Sequence, residues 1–171
     1  MQRAISPTER TEALERGLIA ERPSRYCWAY DERRSELLAD CFTEDAVWEG
    51  TVAGLQRVGP LSGRERILEW LTEFWPYQRH QPRHVLLNTV IEEHNEKQAR
   101  TLSYLLLSTV RRGQVKLSTT GFYRLSLARV EDDWRITHMF AGFDAPFWPG
   151  KLEGLGERGR ERHGLFDGLA S

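Results

Sequence analysis

The chain has 171 residues, enough for one domain that buries roughly two-thirds of the surface its unfolded form exposes. Its 24 basic residues face 25 acidic ones, so a net charge of −1 leaves no global field to draw in nucleic acid or anionic lipid. No apolar run approaches the roughly 20 residues of a membrane helix, and the polar start, Met1 to Gly17, lacks the apolar centre of a secretory signal. In chain order, Ser6-Pro7-Thr8-Glu9 predicts a capped helix over 7–20, with Pro in the first turn. A second helix is expected from Ser24 to Asp40, where Tyr26, Tyr30, Leu37 and Cys41 recur at three-to-four-residue spacing. Asp45 to Glu49 reads as a short strand ending at Gly50. A loop holding Gly54, Gly59, Pro60 and Gly63 then leads to a third helix, Arg64 to Phe74, stopped by Pro76.

Beyond that point the period changes from helical to alternating. His84–Ile91 is a strand candidate, and Ala99–Arg111 and Val115–Arg129 are long strands joined at Arg112-Gly113-Gln114. Trp134–Phe140 returns after the turn at Asp132-Asp133. Helices first and an antiparallel meander after them define an α+β domain. On the strand over 116–126, Leu117, Thr119, Gly121, Tyr123 and Leu125 share the face expected to look inward. Lys116, Ser118, Thr120, Phe122, Arg124 and Ser126 share the other. The Gly-rich, charged tail 146–171 is expected to be irregular, with Phe147, Trp148, Leu165 and Phe166 as candidates to fold back over an opening. One domain spans 1–171, its core about residues 10–145.

Two cysteines, Cys27 and Cys41, read as buried thiols of a cytoplasmic protein rather than a disulfide framework. No CxxC, HExxH, GxGxxG or P-loop string is present, so neither metal nor other cofactor is expected. His80 and His84 stand four apart, but Pro82 between them rules out a helical metal pair.

Several short strings are familiar together. A helix ending in Tyr30-Asp31 is followed by Phe42-Thr43-Glu44-Asp45-Ala46-Val47-Trp48, Leu61-Ser62-Gly63-Arg64-Glu65, Pro82-Arg83-His84 and Asp133-Trp134-Arg135-Ile136. Their order resembles the SnoaL-like branch of the nuclear transport factor two-like superfamily over residues 10–145. That resemblance implies a cone-shaped α+β barrel: a curved, mostly antiparallel sheet wrapped around three N-terminal helices, with a deep apolar pocket. It also implies a homodimer formed sheet to sheet. The string Tyr26-Cys27-Trp28-Ala29-Tyr30-Asp31 is most similar to the scytalone dehydratase family, in which an aspartate ending this helix pairs with a histidine on the strand after the third helix. Asp31 and His84 occupy those two places. The family's pocket tyrosine falls at Gly50, and its substrate-holding serine and asparagine fall at Gly121 and Tyr123, so the substrate differs.

The chemistry suits the pair. Taking a proton beside a carbonyl, or expelling water or halide, needs a base that titrates near working pH, and an ordinary histidine does so at about 6.5. An aspartate fixes its tautomer and stabilises the imidazolium that forms. The expected roles are His84 as general base and Asp31 as orienter. Around them, Tyr26, Tyr30, Trp48, Tyr104, Tyr123, His138 and Phe140 are candidate substrate-binding residues, with His138 and Phe140 placed on one face by their two-residue spacing. The leading expectation is a cofactor-independent lyase, dehydratase or isomerase acting on a small apolar, cyclic or polyketide-like substrate. Its rivals are a non-catalytic ligand-binding or assembly domain, and an epoxide hydrolase that would draw on Arg124 and Asp144.

Overall fold

The structure, a computed structural model, describes residues 5–78 and 80–145. The expectation that the tail folds back over an opening lies outside the described residues. Helix α1 runs over Pro7–Asp31, α2 over Ser35–Asp40 and α3 over Arg64–Glu73, with a 3₁₀ turn at Trp75–Tyr77. Six strands follow the order β1 Phe42–Val52, β2 Gln56–Ser62, β3 Gln81–His94, β4 Gln98–Arg111, β5 Gln114–Val130 and β6 Asp133–Phe143. They form one sheet in the spatial order β2-β1-β6-β5-β4-β3. Only β1 and β6 run parallel; the other neighbours are antiparallel. The architecture is an α+β cone whose helices fill the concave side of the sheet.

Helix α1 begins as the sequence predicts, with a reciprocal cap. The Ser6 hydroxyl accepts from Glu9 N–H, and the Glu9 carboxylate accepts from Ser6 N–H. It does not break near residue 20. Pro23 sits inside a continuous helix, buried with Ile19 and Arg22, where tertiary packing outweighs the lost N–H. The break falls instead at Arg33, whose φ of 53° makes the left-handed turn that glycine usually makes. Arg34 N–H reaches Ala29 C=O and Arg33 N–H reaches Tyr30 C=O, closing the helix directly after Asp31. A second correction concerns 56–62, expected as loop: it pairs with β1 as an edge strand, tolerating Gly59 and Pro60 because an edge leaves one side unpaired.

The core lies between α1, α3 and the sheet. Ile19, Phe42, Leu38, Ile67, Trp134, Ile136 and Met139 are fully buried there. Buried Arg22 pairs with Asp133, and Trp134 Nε1–H donates to Glu15 at 3.2 Å, so α1 is pinned to the β5–β6 turn by polar as well as apolar contacts. Along β5 the inward face is as expected from Thr119 to Leu125; Leu117, nearer the β4–β5 turn, is exposed. On β6 the alternation slips. Ser126 and Leu127 of β5 pair with His138 and Ile136, so β6 carries one extra residue, Thr137. Trp134 and Ile136 point inward before this bulge, and Met139 and Ala141 after it. His138 and Phe140 are thereby turned to the outer face.

Candidate functional site

The C-terminal end of α1 delivers Asp31 to the first turn of β3. Because the helix closes at Arg33, the carboxylate sits beside the strand rather than in solvent, with only 7% of its side chain exposed. Asp31 Oδ2 accepts the backbone N–H of His84 at 2.7 Å, and Oδ1 lies 2.6 Å from Nδ1 of the same residue. The strand thus offers two groups from one residue to two oxygens of one carboxylate. A backbone N–H can only donate and an ionised carboxylate only accept, so Nδ1 carries a proton and the neutral ring keeps its lone pair on Nε2. Such short contacts to a charged acceptor are the strong class of hydrogen bond. Gln81 holds the approach, its Nε2–H donating to the Asp31 carbonyl at 2.8 Å.

Tyr30 stands against the imidazole edge to face, ring centres 5.4 Å apart and planes at 90°. Its hydroxyl accepts from Gln78 Nε2–H at 3.0 Å, and its ring also meets Trp75 at 6.0 Å. Burial pushes the Tyr30 phenol up to about 12, against the Gln78 hydrogen bond that works to lower it. Tyr30 therefore stays protonated at any working pH and is a donor, not a base. Trp75 Nε1 and Gln78 Oε1 are buried without a partner among the described residues, leaving one donor and one acceptor unused at this end of the interior.

The other expected residues divide into two groups. Tyr26 packs edge-on against Phe42 at 5.7 Å and against Tyr123 at 6.0 Å, and Tyr123 also meets Phe143 at 6.4 Å. All four are inside; burial raises the Tyr26 and Tyr123 phenols well above their ordinary range. Trp48 is buried too, its ring 4.5 Å from that of Trp70 on α3. Tyr104, His138 and Phe140, by contrast, lie on the outer face. Tyr104 is 60% exposed because β4 places its odd-numbered residues, Ser103 and Leu105, inward. His138 Nε2 is 3.0 Å from a Glu49 carboxylate oxygen, and Phe140 stacks on Phe122 at 5.9 Å. Arg124 also faces outward, over the Phe122 ring, while Asp144 accepts from the Thr120 hydroxyl at 2.7 Å, so these two do not assemble a hydrolase constellation.

Gln78, Gln81 and Trp75 were not singled out by sequence. Their only signal is a pair of amides bracketing a Pro-bounded connection, where backbone carbonyls lack strand partners. Gly50 and Gly121 have a steric reason. A Cβ at Gly50 would lie 2.5 Å from the Ala141 carbonyl oxygen, and one at Gly121 would overlap the Gly142 carbonyl. Close approach of neighbouring strands therefore forbids any side chain where a tyrosine or serine would reach into the interior. No group of three or more His, Cys, Asp or Glu side chains is gathered to hold a metal among the described residues. No helix among them is long and apolar enough to cross a membrane.

Comparison with known proteins agrees with this architecture. The chain resembles a function-unknown protein from Mycobacterium tuberculosis at 22% identity, covering 83% of this chain and 78% of that one, with a TM-score of 0.68. A protein with a cystatin-like fold, described as nuclear transport factor two-like, from Novosphingobium aromaticivorans matches at 18% identity over 81% and 90%, with a TM-score of 0.67. A protein from Catenulispora acidiphila, crystallised in complex with S-DNPA, matches at 25% identity over 77% and 95%, with a TM-score of 0.66. No curated protein matches the chain at a significant level. The model of the SnoaL-like domain matches residues 11–139, three-quarters of the sequence, and the chain belongs to that family.

Proposed function

We propose that the protein is a cofactor-independent acid–base enzyme, a lyase or dehydratase or else an isomerase, acting on a small, largely apolar cyclic or polyketide-like substrate. The observation that carries this reading is the two-point clamp of Asp31 on the His84 N–H and Nδ1. A carboxylate spent on both groups does more than fill a core. It sets the tautomer that leaves Nε2 able to take a proton, and it stabilises the positive ring that results. In an elimination, Nε2 removes the proton beside an activating carbonyl and the protonated ring returns it to the departing hydroxyl. In an isomerisation the same proton goes back to a different carbon. The protonated Tyr30 and the unused Trp75 Nε1–H are donors suited to a carbonyl oxygen on which negative charge develops. The similarity of the Tyr26–Asp31 string to scytalone dehydratase supports elimination, and the S-DNPA complex of the Catenulispora protein supports a small-molecule ligand.

The same reading has the protein working as a homodimer. Val85, Leu87, Val90 and Tyr104 are exposed on the outer sheet face beside the Phe122–Phe140 stack, an apolar patch suited to a second sheet. The experiment on the chemistry incubates the protein with cyclic β-hydroxyketones in deuterated water, following loss of water and α-proton exchange by NMR. Wild type should catalyse one of the two, and His84→Ala should lose roughly 10²–10⁴-fold. Undiminished turnover in His84→Ala would refute the assignment.

A further inference from the structure

Outside the interior, a cleft of about 400 Å³ opens between the end of α1 and the connection from the 3₁₀ turn to β3. It is lined by Asp31, Glu32, Arg33, Gln78, His80 and Gln81. Two carboxylates on its wall suggest an acidic site, but both are already engaged. Asp31 spends its oxygens on His84, and Glu32 pairs with Arg83 at 2.8 Å. The cations are in the opposite condition. Arg33 donates from Nη2 to the Gln78 backbone carbonyl at 2.7 Å, a neutral partner, and has no carboxylate partner among the described residues.

Strand register adds a second guanidinium. Gln81 pairs with Val110, so the next antiparallel position sets Arg111 beside His80. In agreement, after burial, Arg111 and then Arg33 are what hold the His80 imidazole below its ordinary range. Arg111 likewise has no carboxylate partner among the described residues. The Gln78 amide is turned away, its Nε2–H donating to Tyr30. Among the described residues, the charge left without a carboxylate partner is positive: Arg33 on the cleft wall, and Arg111 beside His80 at its edge. It is a pair of planar guanidinium groups, the side chain best matched to a carboxylate's two oxygens.

We propose that this cleft binds a carboxylate between Arg33 and Arg111, with His80 beside it. The ligand class is a small carboxylic acid, or a substrate carrying one. The proposal does not need Asp31 and His84 to be catalytic.

The test uses the full chain, ¹³C/¹⁵N-labelled, at fixed pH and low ionic strength, titrated with sodium acetate while the His80 ring resonances are followed by NMR. Resonance assignment comes from His80→Gln. Acetate should produce a saturable shift in the millimolar range, and the neutral isostere acetamide should produce none. Arg33→Gln and Arg111→Gln should each weaken acetate binding about fivefold, the upper range for an exposed ion pair, with circular dichroism showing both folded. Acetate binding is read on wild type independently of any turnover of hydroxyketones, which separates the fate of this site from that of the acid–base reading. Absence of a saturable shift, an equal response to acetamide, or full affinity in both arginine variants would each overturn the proposal.

Discussion

Replacing Asp31 with Asn tests the clamp without knowledge of the substrate. The amide is nearly isosteric with the carboxylate but brings one acceptor where two are used. The His84 backbone N–H is a fixed donor, so the amide oxygen is drawn to it and the NH₂ is left facing Nδ1. A donor there forces Nδ1 to become the acceptor and moves the ring proton to Nε2. Asp31→Asn therefore produces the wrong tautomer for a base, and activity should fall by roughly 10⁴, the effect known for an orienting aspartate in a serine-protease triad. Stability changes as well. The 2.6 and 2.7 Å contacts to a side chain only 7% exposed belong to the charged class, and exchanging them for neutral ones should cost about 1–3 kcal/mol. At about 2–4 °C per kcal/mol for a chain of this size, the melting temperature should drop by about 2–12 °C. Nitrogen-15 shifts of the His84 ring report the tautomer and calorimetry reports the melting point. If Asp31→Asn keeps the proton on Nδ1 and melts with wild type, the clamp does not govern the histidine.

Three further predictions rest on other parts of the fold. Burial alone would raise the Asp133 carboxyl, but the hydrogen bonds from Arg22 and from Trp134 N–H hold it below its ordinary value. Its depressed pKa contributes stability that is complete above the unfolded value near 3.9 and is lost as pH falls through the folded one. Asp133→Asn should thus flatten the acid limb of urea-derived stability below about pH 4, and should cost about 1–2 kcal/mol at neutral pH, discounted because Asp133 is 41% exposed. Gly121→Ala drives a methyl into the Gly142 carbonyl and should destabilise the protein by about 1–3 kcal/mol or more, read by thermal melting. On the outer face, wild type should sediment as the proposed dimer and Tyr104→Glu as a monomer with an intact melting profile in dilute sample; a monomeric wild type would refute the dimer, and an unchanged dimer would place the interface elsewhere.

How far the sequence could be read depends on which physical signals it prints. The Ser6–Glu9 box and the inward face of β5 were legible because a cap and an unbroken two-residue period are local. The end of α1 had no local signal, because the left-handed residue is Arg33 where a glycine would have marked it, and only the resemblance put a helix end at Asp31. The outward turn of His138 and Phe140 follows from one inserted residue, Thr137, and the adjacent polar pair Thr137-His138 fits either register. In hindsight the apolar run Met139-Phe140-Ala141 offered a choice of faces, and polar His138 beside fully buried Met139 favoured the one observed. The Asp31–His84 contact joins residues 53 apart, and only the resemblance, not any local pattern, brought them together. Gln78 and Gln81 escaped notice because their work is done on backbone and phenol oxygens, which leave no periodicity.

The clamp also bears on how the protein avoids sticking to itself. Strand β3 is an edge of the sheet, and the outward N–H groups of an edge strand are a template on which another chain can add. The His84 N–H is bonded to Asp31 rather than to β4, so the end of α1 caps the edge at the residue whose ring the same carboxylate holds. The carboxylate that clamps the His84 ring thus also guards the sheet against intermolecular strand addition. Variants that lose it should aggregate through β3 before they lose their fold.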